Sequence, residues 1–217
     1  MVTQLKNEST SNIIYPDSDG KPMADNTLQF RWITMIKENL DWLFADDNNV
    51  FVAGDLLWYP IEGNNKKRLA PDIMVVCGRP KGERGPYQQW KEDNIAPQIV
   101  FEILSPGNTQ TEMSRKLLFY ERYGVEEYYI YGPHKNELSG LLRGDEGLDI
   151  IDNMDGWKSP RLGIRFEIAE PELKLYYPDG DSFSTYIEER KKVQQEKQRA
   201  DKLAAKLKEL GIDPDEL

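Results

Sequence analysis

Asp72 lies in the run Pro71-Asp72-Ile73-Met74-Val75-Val76, and Glu102 lies in Ile99-Val100-Phe101-Glu102-Ile103-Leu104. Each run has the length and β-branched content of a core strand. Each also holds an acid that is costly to desolvate unless a cation or a hydrogen-bond donor meets it. A fold that accepts both runs must therefore bring charge or donors to both positions. Acids of this kind concentrate where a protein binds a cation or moves protons. Side chains alternate along a strand, so Asp72 shares a face with Met74 and Val76, and Glu102 shares one with Val100 and Leu104. If the two strands are neighbours, the carboxylates converge on one hard cation. Ions such as Mg²⁺ take oxygen ligands, keep several waters, and need only one or two protein carboxylates. The sequence has no Cys/His cluster, which disfavours zinc.

The pattern around these runs predicts a mixed α/β (α+β) core. Phe30, Ile33, Ile36, Leu40 and Leu43 recur at helical spacing behind Asn26, a good N-cap, so residues 26–44 read as a helix. Strands are expected at Val50 to Tyr59, Leu69 to Cys77, Gln98 to Leu104 and Glu127 to Tyr131, with a polar connection from Gly78 to Pro97. Thr109 or Thr111 starts a second helix that runs to about Tyr123 and ends at Gly124. Met113, Leu117, Tyr120 and Gly124 form the inner face of that helix. Lys116 lies on the border of the face, and Arg115 points the other way. An inward lysine near two carboxylates can hold a water or stabilise charge on a phosphate. It can equally be a salt bridge that supports the core. Short apolar runs from 137 to 177, separated by Gly, Asp and Pro, read as an antiparallel extension of the sheet.

The chain has 217 residues, which bounds it to one domain with an appendage or to two small domains. At 39% hydrophobic residues it can build a sizeable core. A net charge of −10 argues against a general coat for nucleic acid or membrane, although one local basic patch remains compatible with it. Lys66, Lys67 and Arg68 before the second core strand, and Arg79, Lys81 and Arg84 after it, could contact phosphate or be ordinary surface charge. Tyr87 and Trp90 in the same connection could stack on a base or anchor the loop. The single cysteine, Cys77, reads as a small buried hydrophobe, and a reducing cytoplasm suits it. No stretch is long and apolar enough for a membrane span, so no membrane partner is expected.

Three segments are expected: an arm at 1–25, a domain at 26–184, and a charged helix at 185–217. From Thr185 to Leu210 there is no Gly or Pro, and Val193, Ala200 and Leu207 lie seven apart, with Leu203 and Leu210 beside them. A short coiled coil that makes a homodimer through 185–210 is one reading, and a solvated helix docked on its own domain is the other.

The stretches Ala70-Pro71-Asp72-Ile73-Met74-Val75-Val76, Val100-Phe101-Glu102-Ile103-Leu104-Ser105-Pro106 and Tyr120-Glu121-Arg122-Tyr123-Gly124-Val125-Glu126-Glu127-Tyr128-Tyr129, in that order, resemble the Uma-two family of the PD-(D/E)XK, or restriction-endonuclease-like, superfamily. The resemblance spans roughly residues 25–185. It implies an αβββαβ core and an endonuclease that hydrolyses DNA phosphodiester bonds with Mg²⁺ or Mn²⁺, tied to mobile elements or genome defence. RNA as the substrate is not separable from DNA. Asp72 and Glu102 would be the metal ligands. The usual lysine two residues after the glutamate is replaced by Leu104, so Lys116 on the following helix takes its place. Glu38 would be the acid on the first helix, with a plain surface glutamate as the alternative. Asp55, inside Val52-Ala53-Gly54-Asp55-Leu56-Leu57, is an accessory ligand or a structural acceptor. The competing function is a catalytically weak nuclease-fold protein that serves as a dimeric interaction module.

Overall fold

The structure is a computed structural model and describes residues 13–20 and 22–210. Residues 1–12 and Lys21 of the expected arm, and residues 211–217 of the expected C-terminal segment, lie outside the described residues.

Helix α1 (Thr27–Leu43) is capped by Asn26, whose side chain accepts the Gln29 N–H at 2.9 Å. Its Trp32, Ile33, Ile36 and Leu40 are buried. Strand β1 (Val50–Gly54) follows, but the expected continuous strand to Tyr59 is broken. Asp55 takes a left-handed conformation with φ +48°, which turns the chain out of the ladder. Strand β2 (Trp58–Tyr59) then joins a different sheet. Strand β3 (Ile73–Cys77) begins later than Leu69, because Pro71 has no N–H to give a ladder and Leu69 makes only an isolated bridge to Trp58. The connection from 78 to 97 contains β4 (Tyr87–Gln88), paired in parallel with β2, and a 3-10 turn at Gln89–Lys91. Strand β5 (Ile99–Ile103), helix α2 (Gln110–Tyr123) and strand β6 (Glu127–Gly132) complete the αβββαβ order.

Strands β7 (Glu137–Arg143) and β8 (Leu148–Ile150) extend the sheet antiparallel, giving the order β1-β3-β5-β6-β7-β8. Strands β9 (Arg165–Glu167) and β10 (Lys174–Tyr176) do not join it and form their own ribbon. Phe166 explains why. Its ring lies 4.7 Å from Tyr129 and 6.4 Å from Phe101, so the ribbon covers the apolar face of the sheet and leaves its edge free. Helix α1 covers the same face, with Trp32 at 4.6 Å from Tyr131. The other face carries Phe51, Met74, Val76, Val100 and Tyr128. They form one buried cluster with Trp58, Tyr87 and Tyr120, and Met113 and Leu117 of α2 pack on it. The described arm residues are tied to β2 and its turn: Tyr15 packs edge-on against Tyr59 at 5.2 Å, and Tyr59 donates its hydroxyl to the Pro16 carbonyl at 2.8 Å.

The chain divides into two compact units, the first ending at Ser182 and the second starting at Phe183. Within the second unit, helix α3 (Tyr186–Glu209) opens on a capping box. Thr185 Oγ1 accepts the Glu188 N–H at 3.3 Å, and Glu188 Oε2 accepts the Thr185 N–H at 2.7 Å.

Helix α2 ends at Gly124, which has φ +88°, and a Cβ built there would meet nothing within 4 Å. The cost of Gly124→Ala is therefore conformational alone. It is expected to lower stability by about 1 kcal/mol, read as a lower urea midpoint with an unchanged slope.

Candidate active site

The β3–β5 ladder pairs Ile73 with Phe101. One step further in that antiparallel register sets Asp72 opposite Glu102, on the face of Met74, Val76 and Val100. Asp72 Oδ2 accepts the Ile103 N–H at 2.6 Å, so a side chain closes the end of the ladder. No described residue donates to its other oxygen. Glu102 is only 1% exposed and is held at both oxygens. Lys116 Nζ lies 2.6 Å from Oε2, and Tyr120 donates its hydroxyl to Oε1 at 2.5 Å. Lys116 and Tyr120 sit one helical turn apart on α2, which is why both tips reach one carboxylate. Thr109, accepting the Glu112 N–H at 3.2 Å, starts α2 at the phase that aims this pair inward. Arg115 is exposed.

These groups share one electrostatic field. Burial pushes the Asp72 carboxyl well above the usual range, and the Glu102 charge pushes it further, against the pull of Lys116 and the Ile103 N–H. Burial raises Glu102 too, opposed by Lys116 and by the Tyr120 hydroxyl. Burial works to lower the pKa of Lys116, but Glu102 and Asp72 outweigh it and keep the ammonium charged. Asp55 lies in the same field. Its carboxyl is raised by burial and by Asp19, lowered by Lys116 and raised by Glu102. Its N–H donates to the Asp72 carbonyl at 3.2 Å. The bend that breaks β1 thus also carries a third acid toward the carboxylate pair.

The residues fit a hard divalent cation. Asp72 has an oxygen to which no described residue donates, Glu102 has unspent lone pairs, and each carboxyl is raised in the way a neighbouring positive charge would relieve. Among the described residues no group of three His, Cys, Asp or Glu stands ready as a closed cage. Two carboxylates with water in the other positions is the habit of Mg²⁺.

Residues 21–169 match the family model described as "Uma2: Putative restriction endonuclease". The chain belongs to the Uma2 family. The match ends before β10 and α3. Among solved structures the chain is similar to one titled as a putative nuclease belonging to DUF820 from Anabaena variabilis ATCC 29413. The likeness has 17% identity and a TM-score of 0.49, and covers 67% of this chain and 81% of that one. No curated protein matches it. No helix among the described residues is long and apolar enough to cross a membrane.

Other residues singled out in the sequence fall elsewhere in this Uma2 protein. Glu38 is exposed on α1, which packs on the sheet face opposite α2. Arg79 and Arg84 both bond Glu92 at 2.8 Å, and Arg84 lies 3.9 Å over the Phe51 ring. Lys81 bonds the carbonyl of Phe44. These three charges hold the 78–97 connection in place. Arg68 bonds the Asn65 carbonyl at 3.0 Å, whereas Lys66 and Lys67 are exposed. Tyr87 is buried and donates to the Ile95 carbonyl at 2.7 Å, and Trp90 packs 4.9 Å from Tyr15, so both anchor the connection. Sequence reasoning missed the bond from Tyr120 to Glu102. The four-residue spacing from Lys116 was the available signal. It also passed over Glu127, another acid in an apolar strand. Glu127 is fully buried and accepts from Tyr129 Oη at 2.8 Å, Ser159 Oγ at 2.5 Å and the Arg161 N–H at 2.7 Å.

A raised carboxyl pKa penalises the folded state as pH climbs from the ordinary aspartate range through the folded value. Asp72→Asn keeps the acceptor for Ile103 and removes that penalty. In chelator at neutral pH the variant is expected to melt higher, by about 2–4 °C per kcal/mol relieved. The difference should vanish at acid pH, where Asp72 is protonated in both states. Thermal melts across pH check it.

Proposed function

We propose that this Uma2 protein is an endonuclease that hydrolyses DNA phosphodiester bonds with Mg²⁺ or Mn²⁺ held by Asp72 and Glu102. The observation that carries the reading is the convergence of Asp72, Glu102 and Lys116 on one sheet face, with the Lys116 ammonium 2.6 Å from Glu102. When bound, such a cation polarises a phosphoryl oxygen and acidifies water. Asp72 and Glu102 orient the site and supply its negative charge. Lys116, beside Glu102, serves as a charged donor to a phosphate oxygen or a water. Asp55 adds charge from the end of β1 as an accessory group. The description of the family as a restriction endonuclease supports DNA as the substrate and a role in genome defence. Exposed Lys66 and Lys67 are available for phosphate contacts, which confer position without reading sequence. The single half-buried Cys77 suits a reducing cytoplasm.

The test is conversion of supercoiled plasmid to nicked or linear DNA, with single-stranded DNA and RNA as parallel substrates. The wild type is expected to cut only with Mg²⁺ or Mn²⁺ present, Asp72→Asn to abolish cutting, and Lys116→Met to slow it by about 10²–10³-fold. Cleavage that survives both substitutions overturns the assignment.

One observation favours a second role for α3. Tyr186, Val193, Leu203 and Leu210 are all exposed, and Tyr186, Val193, Ala200 and Leu207 recur every seven residues. We propose that α3 joins two copies in a short coiled coil. Light scattering on the full chain is expected to give a dimer mass, and Val193→Glu with Leu207→Glu to give the monomer; a wild-type monomer would end this reading.

A further inference from the structure

Glu102 can act as a ligand only if its carboxylate is kept in one orientation, and two side chains share that task. Lys116 reaches Oε2 from a stem that ends near the protein surface, its side chain 13% exposed. Tyr120 differs in kind. It is fully buried, and its ring is fixed by neighbours on several sides: Trp58 lies parallel at 6.4 Å, Tyr128 lies at 4.9 Å and Phe119 at 6.0 Å. A phenol so confined has one direction in which to donate, and it donates to Glu102 Oε1 at 2.5 Å. An ionised carboxylate offers about four lone-pair sites. One is taken by Lys116 and one by Tyr120, which leaves the others for a cation. The neighbouring Tyr128 is a built-in contrast. Its hydroxyl is buried in the same cluster, yet it has no hydrogen-bond partner among the described residues.

We propose that Tyr120 is a positioning residue for the divalent cation. By donating to Glu102 Oε1 from a locked ring, it holds the carboxylate in the orientation that meets Asp72, and so sets the affinity of the site. The inference rests on the metal reading above. Donors to ligating groups fix ligand orientation in metal sites generally, and their loss costs about 10–100-fold in affinity.

The experiment is calorimetric titration of the full chain with MnCl₂ alone, without DNA, for the wild type, Tyr120→Phe, Tyr128→Phe and Asp72→Asn. Tyr120→Phe keeps the ring and removes only the donor. It is expected to weaken Mn²⁺ binding by about 10–100-fold, with near-ultraviolet circular dichroism showing the aromatic packing retained. Tyr128→Phe should bind as the wild type does. If Tyr120→Phe binds Mn²⁺ like the wild type while Asp72→Asn does not, the positioning role fails and the metal reading stands. If Tyr128→Phe weakens binding as much as Tyr120→Phe, the effect belongs to the cluster and not to the hydrogen bond, and the proposal also fails. A wild type that binds no Mn²⁺ defeats the metal reading and this inference with it.

Discussion

The buried carboxylate of Glu102 is the constraint around which this domain is arranged. An ionised side chain at the centre of a sheet is tolerated only if its oxygens are met, and breaking a buried pair by removing one partner costs about 3–5 kcal/mol. Strand β5 is central, flanked by β3 and β6, so no solvent can do the work. Helix α2 supplies both partners from one face, Lys116 and Tyr120, and this demand fixes the helix in rotation as well as in position. The aromatic cluster of Trp58, Phe119, Tyr120 and Tyr128 then fills the space beside the polar contact. Packing and charge satisfaction are here one interaction.

The buried acids are met in different ways. Glu127 carries the same signature in sequence as Glu102, an acid within an apolar strand, but it lies on the opposite face and accepts from three donors. Its lone pairs are spent on holding residues 159–161 across the sheet. Asp72 has one donor and a like-charged neighbour, and both its burial and that neighbour raise its pKa. Asp72 closes the ladder end through Ile103 yet sits beside a like charge, and a perturbed acid in such a place is a candidate for chemistry.

The positive charges near the site in sequence are divided in the same way. Arg79 and Arg84 converge on Glu92, and Arg84 also covers Phe51, so their task is to bind the 78–97 connection to the sheet. That connection carries Tyr87 into the core beneath β2. Proximity in sequence therefore overstated the basic character of the site. Lys66 and Lys67, on the turn after β2, are exposed, as is Lys81, which bonds the Phe44 carbonyl.

Local periodicity determined much of this protein in advance. Asn26 as a cap, Gly124 as a stop, the inner face of α2 and the shared face of Asp72, Met74 and Val76 all follow from spacings within one element, where 3.6- and 2-residue repeats leave little choice, whereas the choice of Thr109 over Thr111 as the cap of α2 came from the structure. The family could be read from the motifs around Asp72, Glu102 and Tyr120, since those residues stand in linear order. Tertiary structure decided the rest. Whether Glu102 would find Lys116 alone or Lys116 with Tyr120, whether Asp55 would continue a strand or bend toward the carboxylates, and whether β9 would extend the sheet or cover its face all depended on distant partners. Lone pairs, ring packing and strand edges are satisfied between elements, and no spacing along a single element records which partner arrives.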